Sequence, residues 1–200
     1  MRTLLLTIIF TTGIFVANSQ TSVTDAFSKS YTYETNQEYT KAIATLTAVY
    51  DATSYTINLR LGWLNYLAGE YTKSQNYYKK AIELEPNSIE ARMGYVYPTS
   101  AMQNWDDVVK TYSSILTLDP NNSTVNYRMA YIHFVRKEFE KAAAYAEKVV
   151  KLYPFDYDAN YLLGQIEVSQ GKIKEAKTHL NRALEYNPSS TEVKSLLEKI

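Results

Sequence analysis

Residues 81–88 read AIELEPNS, and the same kind of segment returns as ILTLDPNN at 115–122, VVKLYPFD at 149–156 and ALEYNPSS at 183–190. The prolines at the heart of these segments, Pro86, Pro120, Pro154 and Pro188, stand 34 residues apart. A fixed period of this size signals a repeat architecture, in which each unit is one supersecondary hairpin stacked on the next. Counting back from the prolines, a large apolar or aromatic residue recurs at Tyr71, Trp105, Phe139 and Ile173. Ser74, Val108, Ala142 and Ala176 follow three residues later, and Ala81, Ile115, Val149 and Ala183 seven residues beyond those. An earlier unit carries Tyr39, Ala42 and Val49, offset by 32 residues and lacking the terminal proline.

Each period contains two amphipathic stretches at helical spacing, parted by a short polar break such as Gly69-Glu70 or Gly171-Lys172. The pattern predicts helices over 23–36, 39–51, 55–68, 71–84, 88–102 and 105–118. It continues over 122–136, 139–152, 156–170, 173–186 and 190–199. Asn87-x-x-Glu90 and Ser189-x-x-Glu192 read as capping boxes at helix starts. In the last helix Val193, Leu196, Leu197 and Ile200 share one face, the half-polar cap that a stack of repeats needs at its end, so the array is expected to be complete there. Pro98 falls inside the helix at 88–102, where it removes an amide donor and crowds the Gly94 carbonyl. A kink or an early end near Tyr97 is the expectation.

The chain resembles the tetratricopeptide repeat family, whose 34-residue helix–turn–helix unit carries W-x2-L-G-x2-Y, then A-x3-F, then P. Leu61-Gly62 and Leu163-Gly164 match the L-G pair, Ala142 and Ala176 the central alanine, Tyr78 and Tyr112 the later aromatic, and all four prolines the last position. The resemblance spans about residues 23–200. Asn58, Arg92, Asn126 and Asn160 replace the first Trp, and Asn65, Thr99, His133 and Glu167 the Tyr. Tyr95-Val96 stands for one L-G pair. The resemblance implies an all-α, right-handed solenoid of about five repeats (23–54, 55–88, 89–122, 123–156, 157–190) with a capping helix at 190–199.

Composition narrows the function. Lys plus Arg and Asp plus Glu each number 21, so no basic field is present to hold nucleic acid. With no cysteine there is no disulfide, thiolate nucleophile, Cys-based zinc site or lipid anchor on Cys. Hydrophobic residues make up 46% of the chain, enough to bury a core. Residues 1–19 read as a signal peptide: Met1-Arg2, an apolar run from Thr3 to Ala17, then small residues at Ala17 and Ser19 for cleavage before Gln20. The competing reading is an uncleaved anchor, although the run is shorter than the ~20 apolar residues a spanning helix needs. The repeat domain is expected over 20–200, in a periplasmic or secreted protein of the bacterial envelope.

Tyrosine is the compositional outlier, with 19 residues against 6 Phe and 2 Trp. Many fall on one stripe of the first helix of each repeat, i and i+4 apart: Phe27 and Tyr31, Leu59 and Trp63, Met93 and Tyr97, Tyr127 and Tyr131, Tyr161 and Gln165. Glu34, Tyr66, Ser100, Phe134 and Val168 continue it. In the family this chain resembles, that stripe lines the concave groove where peptides bind. The alternative is that neighbouring first helices bury the rings among themselves. Tyr and Trp offer large contact area with a polar tip, so Trp63, Tyr97, Tyr127 and Tyr131 are the expected centre of a partner-binding surface. The Lys and Asn of carboxylate-clamp repeats are absent from the stripe. Arg60 and Arg128, beside it at equivalent positions, are candidate partners for a ligand carboxylate or else surface ion pairs.

No catalytic constellation is visible, and no metal or cofactor is expected. His133 sits at a core position and reads as a satisfied interior imidazole; His179 is expected to be exposed. Asp106, Asp107, Asp156 and Asp158 read as first-turn acids, Asn121-Asn122 as helix caps and Lys172, Lys174 and Lys177 as a solvated face. The expected function is a non-enzymatic, exported adaptor that binds a protein or peptide segment in the aromatic groove. A glycan-binding or polysaccharide-uptake role for the same groove is the alternative, and homodimerisation through it a further option.

Overall fold

The computed structural model describes residues 22–200; the signal-peptide reading of 1–19 lies outside them. The described residues are all-α and form two compact units, residues up to Val49 and residues 50–200. The first unit is one hairpin of α1 (Val23–Thr35) and α2 (Tyr39–Thr47), closed over Ala26, Ser30, Ala42 and Leu46.

The second unit is a solenoid of four hairpins and a last helix: α3 (Tyr55–Leu67) with α4 (Tyr71–Leu84), α5 (Ile89–Ala101) with α6 (Trp105–Leu118), α7 (Ser123–Val135) with α8 (Phe139–Leu152), α9 (Tyr157–Ser169) with α10 (Ile173–Tyr186), then α11 (Thr191–Glu198). Within this unit each first helix packs on its hairpin partner, and each second helix packs on the first helix that follows it. Val193 is fully buried against Leu180 and Ala183, with Leu196, Leu197 and Ile200 packed around them.

Local chemistry sets the boundaries. Ser22, Ser54, Ser88, Asn122, Asp156 and Ser190 each accept the amide three residues on, so every first helix and α11 opens on a side-chain cap. Two of these correct the sequence reading: the caps are Ser88 and Ser190, not Asn87 and Ser189. The residue after each proline is still in the turn, and only the following one has the extended backbone a cap needs. Inside each hairpin the chain turns through a left-handed residue, at Gln37, Gly69, Gln103, Lys137 and Gly171. The amide after it reaches back five residues, as from Glu70 to Asn65 (2.8 Å) and from Lys172 to Glu167 (2.8 Å), satisfying carbonyls the helix end leaves open. Helix α2 stops at Thr47 instead of 51, because the Asp51 carboxylate takes the Thr53 amide (2.8 Å) and hydroxyl (2.7 Å) in a turn that replaces the missing proline.

Pro98 does not end α5 at Tyr97. The helix runs on to Ala101, and Met102 donates to the Pro98 carbonyl (3.0 Å). Lying in the last turn, the proline forfeits only its own bond, and its ring is buried. Packing is tightest where rings meet glycines. Tyr78, 2% exposed, lies between α3 and α5; a Cβ on Gly62 would stand 2.9 Å from its ring, and one on Gly94 would overlap it.

Candidate functional site: the ring-bearing face of the first helices

Spacing of i, i+4 along α3 and α5 puts Leu59 with Trp63 and Met93 with Tyr97 on one side of each helix, and the two helices lie side by side. Trp63 meets Tyr97 edge-on at 5.8 Å, Tyr66 lies 5.4 Å from Tyr97 and 5.6 Å from Trp63, and Tyr71 of α4 joins at 6.0 Å. These separations are in the favourable range for ring pairs. Tyr97 remains 46% exposed, while Trp63, Tyr66, Leu59 and Met93 are half-buried. The rings are therefore held by one another yet open on one side, which neither pure-groove nor pure-core readings describe alone.

The platform has a closed underside. Burial pushes the Tyr78 phenol far above its ordinary range, and its hydroxyl lies within electrostatic reach of Tyr97 and Tyr66. Tyr112, its equivalent one repeat on, is also raised by burial, with Arg128 opposing the shift and Tyr97 adding to it. Arg60 is only 8% exposed and its charge acts on the Tyr78 phenol. Arg128, at the equivalent position, is exposed.

On α7 and α9 the same stripe is arranged differently. Tyr131 is 51% exposed; Tyr127 and Phe134 are half-buried against the Ala130–Ala142–Leu163 core, and Phe134 leans on Phe139 at 6.1 Å. Tyr161 stacks on Tyr157 at 6.0 Å and is partly claimed by α11. Beside Tyr127 opens a cavity of about 370 Å³ that also involves Arg128, Tyr153, Asp156 and Asp158. Burial raises the Tyr127 phenol first, Asp158 and Asp156 add to it, and Arg128 opposes them. In the first unit, Phe27 is half-buried on α1 and Tyr31 is exposed.

Several contributors were not read from sequence. The residues replacing the motif Trp tie each first helix to the preceding turn: the Asn126 amide donates to the Pro120 and Asn122 carbonyls (3.0 and 2.9 Å), and Asn160 repeats this with Pro154 and Asp156 (3.1 and 2.7 Å). Their common spacing from the prolines was the available signal. Tyr55 and Tyr157 bridge to the caps of the next repeat through Ser88 and Ser190, each at 2.8 Å.

His133 is buried, stacked on Tyr145 at 5.5 Å and bonded through Nδ1 to Glu138 (2.8 Å), the satisfied imidazole expected. His179 is not exposed: it turns inward to the buried Glu167 (2.8 Å), because a carboxylate placed at a core position needs a partner. Asp107, in the first turn of α6, accepts the Tyr95 hydroxyl at 2.6 Å, and burial first and then this carboxylate push that phenol up to about 12. Among the described residues no group of three His, Cys, Asp or Glu side chains is placed to hold a metal, and no helix is long and apolar enough to cross a membrane.

Three tetratricopeptide-repeat family models match, over residues 56–88, 101–157 and 136–200. This chain carries tetratricopeptide repeats, and its architecture is that of a non-catalytic adaptor with an exposed aromatic surface suited to peptide or protein binding. Among solved structures, a crystal structure of MamA protein superposes with a TM-score of 0.71 at 19% identity, covering 85% of this chain and 94% of that one. MamA from Desulfovibrio magneticus RS-1 gives 0.70 at 16% identity, covering 84% and 97%. YrrB, described as a TPR protein with an unusual peptide-binding site, gives 0.70 at 12% identity, covering 92% and 96%. At such identities the likeness is one of fold. A curated relative, uncharacterized protein ycf37 of Pyropia yezoensis, is 28% identical over 72 residues; the match spans 36% of this chain and 40% of the relative's length.

Proposed function

We propose that the protein is an exported adaptor that captures an extended peptide or protein segment on the stripe formed by Trp63, Tyr66, Tyr97, Tyr127 and Tyr131. The observation that carries this reading is the ring platform across α3 and α5: Trp63, Tyr66 and Tyr97 in mutual contact at 5.4–5.8 Å, Tyr71 joined to Tyr66 at 6.0 Å, and Tyr97 still about half open. Rigid rings with polar tips give large contact area for little lost side-chain entropy. The peptide-binding site attributed to YrrB, a protein of the same fold, supports the same reading. In this reading residues 1–19 direct export to the bacterial envelope and are removed, and the repeats follow the right-handed sense of the family.

The test is selection from a displayed library of random peptides. The protein should enrich a defined set, and the Trp63→Ala/Tyr131→Ala double variant should enrich none, with its helical circular dichroism retained and its melting temperature shifted by only a few degrees. A collapse in melting temperature would mean that the rings are core. Oligosaccharides titrated against the Trp63 fluorescence of a Trp105→Phe background should leave it unchanged; saturable quenching would replace the peptide reading with a glycan one. The intact mass of protein recovered from the exporting cell should begin at Gln20.

A further inference from the structure

The cavity beside α7 differs in chemistry from the ring platform. Tyr127 and Tyr153 contribute aromatic surface, Asp156 and Asp158 two carboxylates and Arg128 a guanidinium, so both signs of charge meet in one open pocket. Its volume, about 370 Å³, suits one or two side chains rather than a folded domain. One Asp156 oxygen is committed to the Ala159 amide (2.8 Å) as the cap of α9, and Asp158 lies in the first turn of that helix. Among the described residues neither Asp158 nor Arg128 is engaged in an ion pair, although both line the cavity and both act on the Tyr127 hydroxyl. Opposite charges held in one cavity without satisfying each other leave a place for a ligand that carries both.

We propose that this cavity is a specificity subsite of the groove, taking a Lys or Arg side chain of the bound peptide against Tyr127, Tyr153 and the Asp156/Asp158 carboxylates while Arg128 receives an acidic side chain beside it on the same peptide. The inference rests on the peptide-groove reading above and names what that peptide must contain. A cation gains from a ring face and a carboxylate together. Arg128 disfavours a peptide that is merely basic, and the two aspartates disfavour one that is merely acidic, so the recognised feature is adjacent charges of opposite sign. Partly exposed pairs of this kind set partner choice more than affinity and weaken with salt.

The same random-peptide selection tests it. The protein should enrich peptides with a basic residue next to an acidic one, and the Asp156→Asn/Asp158→Asn variant should still enrich peptides but without the basic preference. Asn remains a good helix cap, so α9 keeps its start. For one enriched peptide, the variant should bind on the order of tenfold more weakly than the unaltered protein. Replacing the peptide's Lys by norleucine should impose the same loss on the unaltered protein and almost none on the variant. Arg128→Gln should likewise erase the acidic preference. Enrichment of peptides with no charge pattern, or unchanged patterns in the variants, overturns the subsite while leaving the groove standing. Enrichment of nothing by the unaltered protein overturns the groove reading, and this inference with it.

Discussion

The α3–α5 face and the α7–α9 face of the second unit use the same register positions to different ends. On the first, Trp63 and Tyr66 of one repeat close on Tyr97 of the next, so the rings bridge repeats. On the second, Phe134 leans on Phe139 and Tyr161 on Tyr157, each within its own repeat, and charge enters beside Tyr127. The cause lies underneath. The second-helix position that holds Tyr78 and Tyr112 in the first pair of hairpins holds Ala146 and Leu180 in the next. Glycines at 62 and 94 admit the Tyr78 ring between neighbouring first helices, and the platform is built on it. A repeat protein can thus vary its visible face by changing one buried volume per repeat while keeping the hairpin.

The largest effect should come from removing that support. Tyr78→Ala empties the space between Gly62 and Gly94 and should cost about 3–5 kcal/mol of unfolding free energy in urea titration. Tyr97→Ala, on the open side of the same platform, should cost less than ~1 kcal/mol. Equal losses would erase the distinction between support and surface.

An intermediate effect is expected in alkali. Tyr95 is held neutral up to about 12 against an ordinary value of 10.0, and Tyr78 is raised in the same direction by burial. A folded-state pKa raised above the unfolded one supplies stability that is whole below pH 10 and is lost as pH rises toward and through 12. Unfolding free energy should fall over that window, and Tyr78→Phe should flatten the fall. A slope indifferent to Tyr78→Phe would mean that its phenol is not enclosed.

The smallest effect tests whether the hairpins themselves are alike. Gln103 and Lys137 hold φ of 58° and 59° at the same turn, one in each face's hairpins. Either residue replaced by Gly should gain roughly 0.5–1 kcal/mol, since glycine enters the left-handed region without steric penalty. Equal gains confine the difference between the two halves to their faces; unequal gains would extend it to the turns.

The sequence carried the helix order and nearly all boundaries, because they rest on interactions between residues three to five apart: caps, left-handed turns and apolar spacing. The family followed from the proline period. Short-range signals also explain the small errors, caps one residue late at Ser88 and Ser190 and a proline tolerated in the last turn of α5. What the linear chain did not disclose depends on distant partners meeting. The inward turn of His179 answers Glu167 from the neighbouring helix, and Arg60 is buried while Arg128, its repeat equivalent, is open. The cavity draws on α7, the end of α8 and the start of α9. Helical periodicity assigns a residue to a face, but whether that face is covered depends on the volume of side chains arriving from the next element, and only the packed structure fixes that.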